Sequence, residues 1–133
     1  MLIVVDTNVV VSGLLNPNGA PGRIVDLIAA NLVQVAYDDR MLAEYEDVLS
    51  RRPFLFSMRQ ISALIDHIRL NGTLVSALPL PPAPYPNPSD LPFAEVAIAA
   101  GVGTMVTGNK AHFSFVKAYG IAVLSPAEFL RQI

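Results

Sequence analysis

Leu2-Ile3-Val4-Val5 is an uninterrupted apolar run that stops at a charged residue, Asp6. A strand with one face in water alternates apolar and polar side chains, whereas a strand covered on both faces has no polar position to offer. This run therefore requires layers packed on both sides of a sheet. Further along, short β-rich runs alternate with segments of helical period, the order that a parallel sheet flanked by helices demands. The strands are read at Leu2–Val5, Val33–Ala36, Leu74–Ser76, Thr104–Val106 and Ala122–Leu124. The fold class is α/β.

Helices fill the intervals. A loop carrying Asn16-Pro17-Asn18-Gly19 and Pro21-Gly22 leads into one over Gly22–Ala30. Asp38 and Asp39 are N-cap candidates for a second, whose apolar residues Met41, Leu42, Tyr45, Val48 and Leu49 follow helical spacing, with Pro53 marking its end. A third carries Met58, Ile61, Ile65 and Ile68 and closes at Asn71-Gly72. A small-residue helix over Phe93–Ala100 stops at Gly101, and Ser125-Pro126 starts a terminal one over Ala127–Arg131. Seven of the 11 prolines lie between Pro79 and Pro92, so Leu78–Tyr85 is an extended, stiff crossover loop. The residues beyond this loop cannot form a core alone, so residues 1–133 are read as one domain.

The composition narrows the function. With 133 residues, 53% of them apolar, one closed core needs no disulfide or zinc scaffold, and the absence of cysteine excludes thiol chemistry. A net charge of −2 excludes a protein that holds nucleic acid by bulk positive charge, so any such contact must be local. No apolar run approaches the roughly 20 residues needed to cross a bilayer, and no basic stretch precedes an apolar segment at the N-terminus. The chain reads as soluble and cytoplasmic. A mean hydropathy of +0.47 with 15% charged residues predicts exposed apolar area, and hence a homodimer or an obligate partner.

In open parallel sheets ligands bind beyond the carboxyl ends of the strands. Asp6-Thr7-Asn8 follows the first strand, Asp38–Glu44 the second, and Thr107-Gly108-Asn109 the fourth, while Asp90 precedes the helix leading into that fourth strand. Asp6 could simply cap the next turn, but its apolar neighbours Val5 and Val9-Val10-Val11 place its carboxylate in a partly buried site, where it needs donors or a cation. Glu44 stands beside the apolar row of its helix and points inward, while Glu46 and Asp47 face out. Asp90 stands where an N-cap belongs. Glu95 lies opposite the Phe93-Val96-Ala97-Ala100 row and is assigned to solubilising an otherwise apolar helix.

Three carboxylates from separate regions, with no Cys and only two His, suit a hard divalent cation such as Mg²⁺ or Mn²⁺ better than zinc. His67 is read as a surface or packing residue and His112 as a loop residue near the mouth of the site. Positive charge near the pocket would come from Arg51, Arg52, Lys110 and Lys117, with Arg59 and Arg69 as further sources; Tyr45, Phe113 and Tyr119 are considered for stacking a base.

At this point the sequence resembles the PIN domain family, the nuclease module of bacterial toxin-antitoxin systems and RNA-processing proteins. The matching pieces run in family order: Val5-Asp6-Thr7-Asn8-Val9-Val10-Val11-Ser12-Gly13, Glu44 to Arg51, Asn87 to Ala97, Val106 to Phe113 and Leu124 to Leu130. The resemblance implies a three-layer α/β/α sandwich with a central parallel sheet of strand order 3-2-1-4-5. It implies that Asp6, Glu44 and Asp90 form the catalytic, metal-holding acids. It further implies that Thr7 and Asn8 support the first acid, that Thr107 and Asn109 close the pocket, and that these four face substrate. Two departures stand out: Asn87-Pro88-Ser89-Asp90 replaces the run of aspartates that relatives often carry, and Asn109 stands where many have a fourth Asp.

The implied activity is an Mg²⁺- or Mn²⁺-dependent endoribonuclease, a hydrolase of single-stranded RNA leaving a 5′-phosphate and a 3′-hydroxyl, the toxin of a toxin-antitoxin pair with an antitoxin partner. The alternative is a non-catalytic PIN-like module that binds RNA or protein through a weakened metal site. A phosphoryl-transfer enzyme of the haloacid dehalogenase type is disfavoured, because it needs a second carboxylate where Asn8 stands.

Overall fold

The computed structural model describes residues 1–133. Five strands, β1 (Leu2–Val5), β2 (Gln34–Tyr37), β3 (Thr73–Leu74), β4 (Thr104–Val106) and β5 (Ala122–Leu124), form one sheet of order β3-β2-β1-β4-β5 with every pairing parallel. The helices are α1 (Thr7–Leu15), α2 (Ala20–Ala29), α3 (Asp39–Leu49), α4 (Met58–Asn71), α5 (Leu91–Ala100) and α6 (Pro126–Arg131). They flank the sheet in the three-layer sandwich expected from the sequence. β1 is central, Ile3 and Val4 are fully buried, and one contiguous core joins all the layers. No helix is long and apolar enough to cross a membrane.

The elements depart from expectation where local signals compete with packing. Val9-Val10-Val11 belongs to α1, a helix that the β-branched run conceals. The propensity cost of valine in a helix is only about half a kcal/mol per residue, and burying all three outweighs it. α2 starts at Ala20, before the predicted Gly22. Pro21 is tolerated in a first turn, and a Cβ on Gly22 would stand 2.2 Å from the carbonyl oxygen of Pro17, so α2 can begin this close to the preceding loop only with glycine there. β2 ends at Tyr37 and β3 begins at Thr73, because the pairing of Ala36 with Thr73 and Tyr37 with Leu74 sets their register. α3 ends at Leu49, and Pro53 lies in a separate 3-10 turn over Arg52–Phe54. α5 begins at Leu91, and a 3-10 segment over Lys110–Tyr119 occupies a stretch to which the sequence assigns no element.

Glu95 departs from its expected role. It is buried in α5 and does not face water. Its Oε1 accepts from Arg40 Nη1 at 2.8 Å, while its Oε2 accepts from the backbone N–H of Leu80 at 2.9 Å. Arg40 also pairs with Asp38 at 2.7 Å, and Asp38 in turn caps α3 by accepting from Met41 N. One carboxylate thus ties α5, the start of α3 and the proline-rich crossover together, and it holds the crossover on its way to Asp90. Glu95→Ala leaves the Leu80 N–H and the Arg40 guanidinium without this partner and should cost about 2 kcal/mol in urea unfolding. Glu95→Gln, which keeps an acceptor, should cost clearly less.

Candidate functional site

The carboxyl end of β1 sets the first acid. The backbone N–H of Asp6 continues the sheet by donating to Val106 O at 2.9 Å, and its extended backbone makes it the N-cap position of α1. Its side chain makes no capping bond. Instead, Asp6 Oδ2 accepts from Thr107 Oγ1 at 2.7 Å, and Thr107 Oγ1 accepts from the N–H of Asn109 at 3.0 Å. Only 6% of Asp6 is exposed. Burial pushes its carboxyl up to about 6, and the negative charges of Asp90 and Glu44 push the same way against the Thr107 and Thr7 hydrogen bonds.

Glu44 reaches the site from α3. The adjacent Tyr45 is fully buried, packs its ring against Phe93 and donates its hydroxyl to Val5 O, which anchors α3 to the end of β1. With Tyr45 fixed inside, Glu44 falls at the cleft edge, where its Oε2 accepts from Thr7 Oγ1 at 3.2 Å. Asp90 comes from the 3-10 turn Pro88–Asp90, whose own cap is Asn87, accepting from Ser89 N. Although Asp90 occupies the N-cap position of α5, its side chain makes no capping bond there. Its Oδ2 lies 3.2 Å from His112 Nδ1, and burial raises its carboxyl above the ordinary value against the opposing pull of His112.

These groups share one cleft of about 430 Å³, lined by Asp6, Thr7, Asn8, Glu44, Asp90 and Asn109 together with Ser12, Arg51, Phe54, Asn87 and His112. Asn8 holds the facing loop by accepting from Gly108 N at 3.1 Å. Thr107 does not line the cleft: it is fully buried, with its hydroxyl committed to Asp6, so it acts on the site through that carboxylate and does not touch a ligand. Tyr45 and Phe113 are fully buried as well and have no face free for a base. Among the basic candidates only Arg51 lines the cleft, its guanidinium in an exposed pair with Asp47 at 3.3 Å, while Lys110 is paired with Glu128 at 2.8 Å. Phe54 is a cleft residue that sequence reasoning does not single out. It follows Pro53 in the turn beyond the acid-bearing helix, lines the cleft and stacks on Phe56 at 5.8 Å. His112 shows no partner at short spacing in the sequence because its partner, Asp90, is 22 residues away in the chain.

Carboxylate and amide oxygens with no thiolate form a donor set for a hard divalent cation. No three His, Cys, Asp or Glu side chains stand close enough together to hold an ion by themselves. Mg²⁺ and its relatives keep several waters and use one or two carboxylates with substrate phosphate oxygens, so an open cleft of this kind fits a hydrated ion and not a closed all-protein cage.

The Asp6 environment has a consequence for stability in the absence of metal. Its folded value of about 6 exceeds the ordinary 3.8, so between these pH values the folded chain holds a proton that the unfolded chain releases. That stabilisation is complete below pH 3.8 and is lost as pH rises through 6. Asp6→Asn, which keeps an acceptor for Thr107, should therefore raise stability at pH 7 by up to about 3 kcal/mol in chelator, with the difference closing near pH 4 in thermal unfolding.

Among solved structures, a chain of VapBC2 from Rickettsia felis, crystallised with a DNA fragment from their promoter, aligns over 94% of this chain and 98% of that chain with a TM-score of 0.59. At 19% identity the likeness shows a shared fold. An uncharacterized protein of Methanocaldococcus jannaschii is 65% identical over 26 residues, which make up 20% of this chain and span 17% of that relative's length. The PIN domain family profile matches residues 2–111, the stretch that carries β1 through β4, all three cleft acids and Asn109, and the chain belongs to the PIN domain family.

Proposed function

We propose that this PIN domain is a divalent-metal-dependent endoribonuclease that hydrolyses single-stranded RNA, acting in the cytoplasm as the toxin of a toxin-antitoxin pair. The observation that carries the reading is the convergence of Asp6, Glu44 and Asp90, from three separate regions of the chain, on one cleft at the end of the central strand. All three carboxylates are oriented by side chains or burial and none is spent on capping a helix.

Asp6, Glu44 and Asp90 would hold a hydrated Mg²⁺ or Mn²⁺, directly or through the ion's waters, with the amide oxygen of Asn109 as a further neutral donor. The bound ion would supply an activated water and polarise the scissile phosphate. Thr107 keeps Asp6 aimed into the cleft and Thr7 does the same for Glu44. Arg51 offers positive charge to a neighbouring phosphate, and the Phe54 ring, braced by Phe56, offers a face to an unpaired base. Hydrolysis would leave a 5′-phosphate and a 3′-hydroxyl, as the family resemblance implies.

An antitoxin partner is proposed on the same resemblance, supported by the fold shared with a chain of VapBC2. A second copy of the chain is proposed from its exposed apolar side chains, of which Met1, Leu32 and Ile133 border one groove of about 440 Å³.

Single-stranded RNA should be cut in Mg²⁺ or Mn²⁺ and left intact in chelator, and Asp6→Asn should lower the rate at least about 100-fold. Wild-type protein that binds metal and RNA without cutting would instead support the non-catalytic reading, which Asn109 in place of a fourth acid favours. Arg51→Ala should flatten the plot of log binding constant against log salt by about 0.7, the contribution of one phosphate contact on a single strand. Arg52→Ala, outside the cleft lining, should leave the slope as it is.

A further inference from the structure

Asn109 and His112 are joined to each other and to the acids in a way that fixes the protons between them. His112 Nδ1 lies 3.2 Å from Asp90 Oδ2, and its Nε2 lies 3.0 Å from Asn109 Nδ2. A carboxylate accepts and an amide nitrogen donates, so a single imidazole state satisfies both contacts: Nδ1–H donates to Asp90, and the Nε2 lone pair accepts from Asn109. The backbone N–H of Asn109 donates to Thr107 Oγ1 at 3.0 Å, and that hydroxyl donates to Asp6 at 2.7 Å. The chain of contacts therefore runs from Asp90 through His112, Asn109 and Thr107 to Asp6, linking two of the three acids across the cleft. An aspartate at position 109 would have no proton to give Nε2.

We propose that Asn109 and His112 are a single positioning unit. The amide at Nε2 and the Asp90 carboxylate at Nδ1 together select the Nδ1–H tautomer, and the imidazole so oriented holds the Asp90 carboxylate in the cleft. The amide end that His112 does not use is Oδ1, which is the only end of Asn109 able to serve a cation. Asn in place of a fourth acid is on this account a working part of the site. The consequence for metal affinity rests on the nuclease reading; the tautomer does not.

The contrast with the other histidine gives an internal control. His67 Nε2 lies 2.8 Å from Ile28 O, a pure acceptor, so His67 is the Nε2–H tautomer. Long-range proton–nitrogen NMR of the metal-free chain at pH 8, with His67→Gln identifying the resonances, should show two histidines of opposite tautomer, His112 as Nδ1–H. Asn109→Ala should weaken the preference at His112, which the Asp90 contact then supports alone, and leave His67 unchanged. In Mn²⁺ calorimetry His112→Ala and Asn109→Ala should each weaken binding about tenfold, and the double variant should be no weaker than the more affected single one. His112 found as Nε2–H or as a mixture in the wild type would overturn the unit, and so would losses that multiply in the double variant. Wild-type protein that binds no Mn²⁺ would remove the nuclease reading, while the tautomer measurement would still decide the pairing.

Discussion

The site depends on one buried carboxylate. Asp6 ends the central strand, has almost no exposure and carries an elevated proton affinity, a state that costs stability whenever the group is ionised. A fold keeps such a group only by surrounding it with donors. Here the donors come from opposite ends of the sequence, since the Thr107 hydroxyl is 101 positions away from Asp6. That hydroxyl lies just beyond β4, so the pairing of β1 with β4 that builds the middle of the sheet also brings the acid and its donor together. Folding and site assembly share this contact.

The same economy governs the other two acids. Glu44 is aimed by its neighbour Tyr45, whose burial and hydroxyl bond to Val5 fix the rotation of α3 against β1. Asp90 is delivered by a segment containing most of the chain's prolines, which has few conformations to lose on ordering. Glu95 then ties that segment to α5 through the N–H of Leu80.

Much of this architecture is legible in residue order alone, because a short apolar run that stops at a charge, such as Leu2–Val5, has the length and the lack of polar positions of an interior strand. The spacing of Met41, Tyr45 and Leu49 likewise sets the inward direction of Glu44. The illegible features are those decided by partners distant in sequence. Val9-Val10-Val11 carries a strand-like local signal but is buried as a helix, and Glu95 looks like a solubilising charge until Arg40 and Leu80 arrive beside it. His112 does sit at the mouth, yet its link to Asp90 has no local signature. Tyr45 and Phe113 show the opposite error, since an aromatic close to a site in sequence is still most useful to the core.

Glu128 belongs to α6, at the far end of the chain from the first acid, and its carboxylate has two roles. It closes a reciprocal cap with Ser125, and it grips Lys110 at 2.8 Å, at the start of the segment that carries His112. The terminal helix is in this way a brace for one wall of the cleft. A loss confined to α6 and the residues beyond it would remove no group that lines the cleft, yet it would loosen the mounting on which one of the cleft's walls stands.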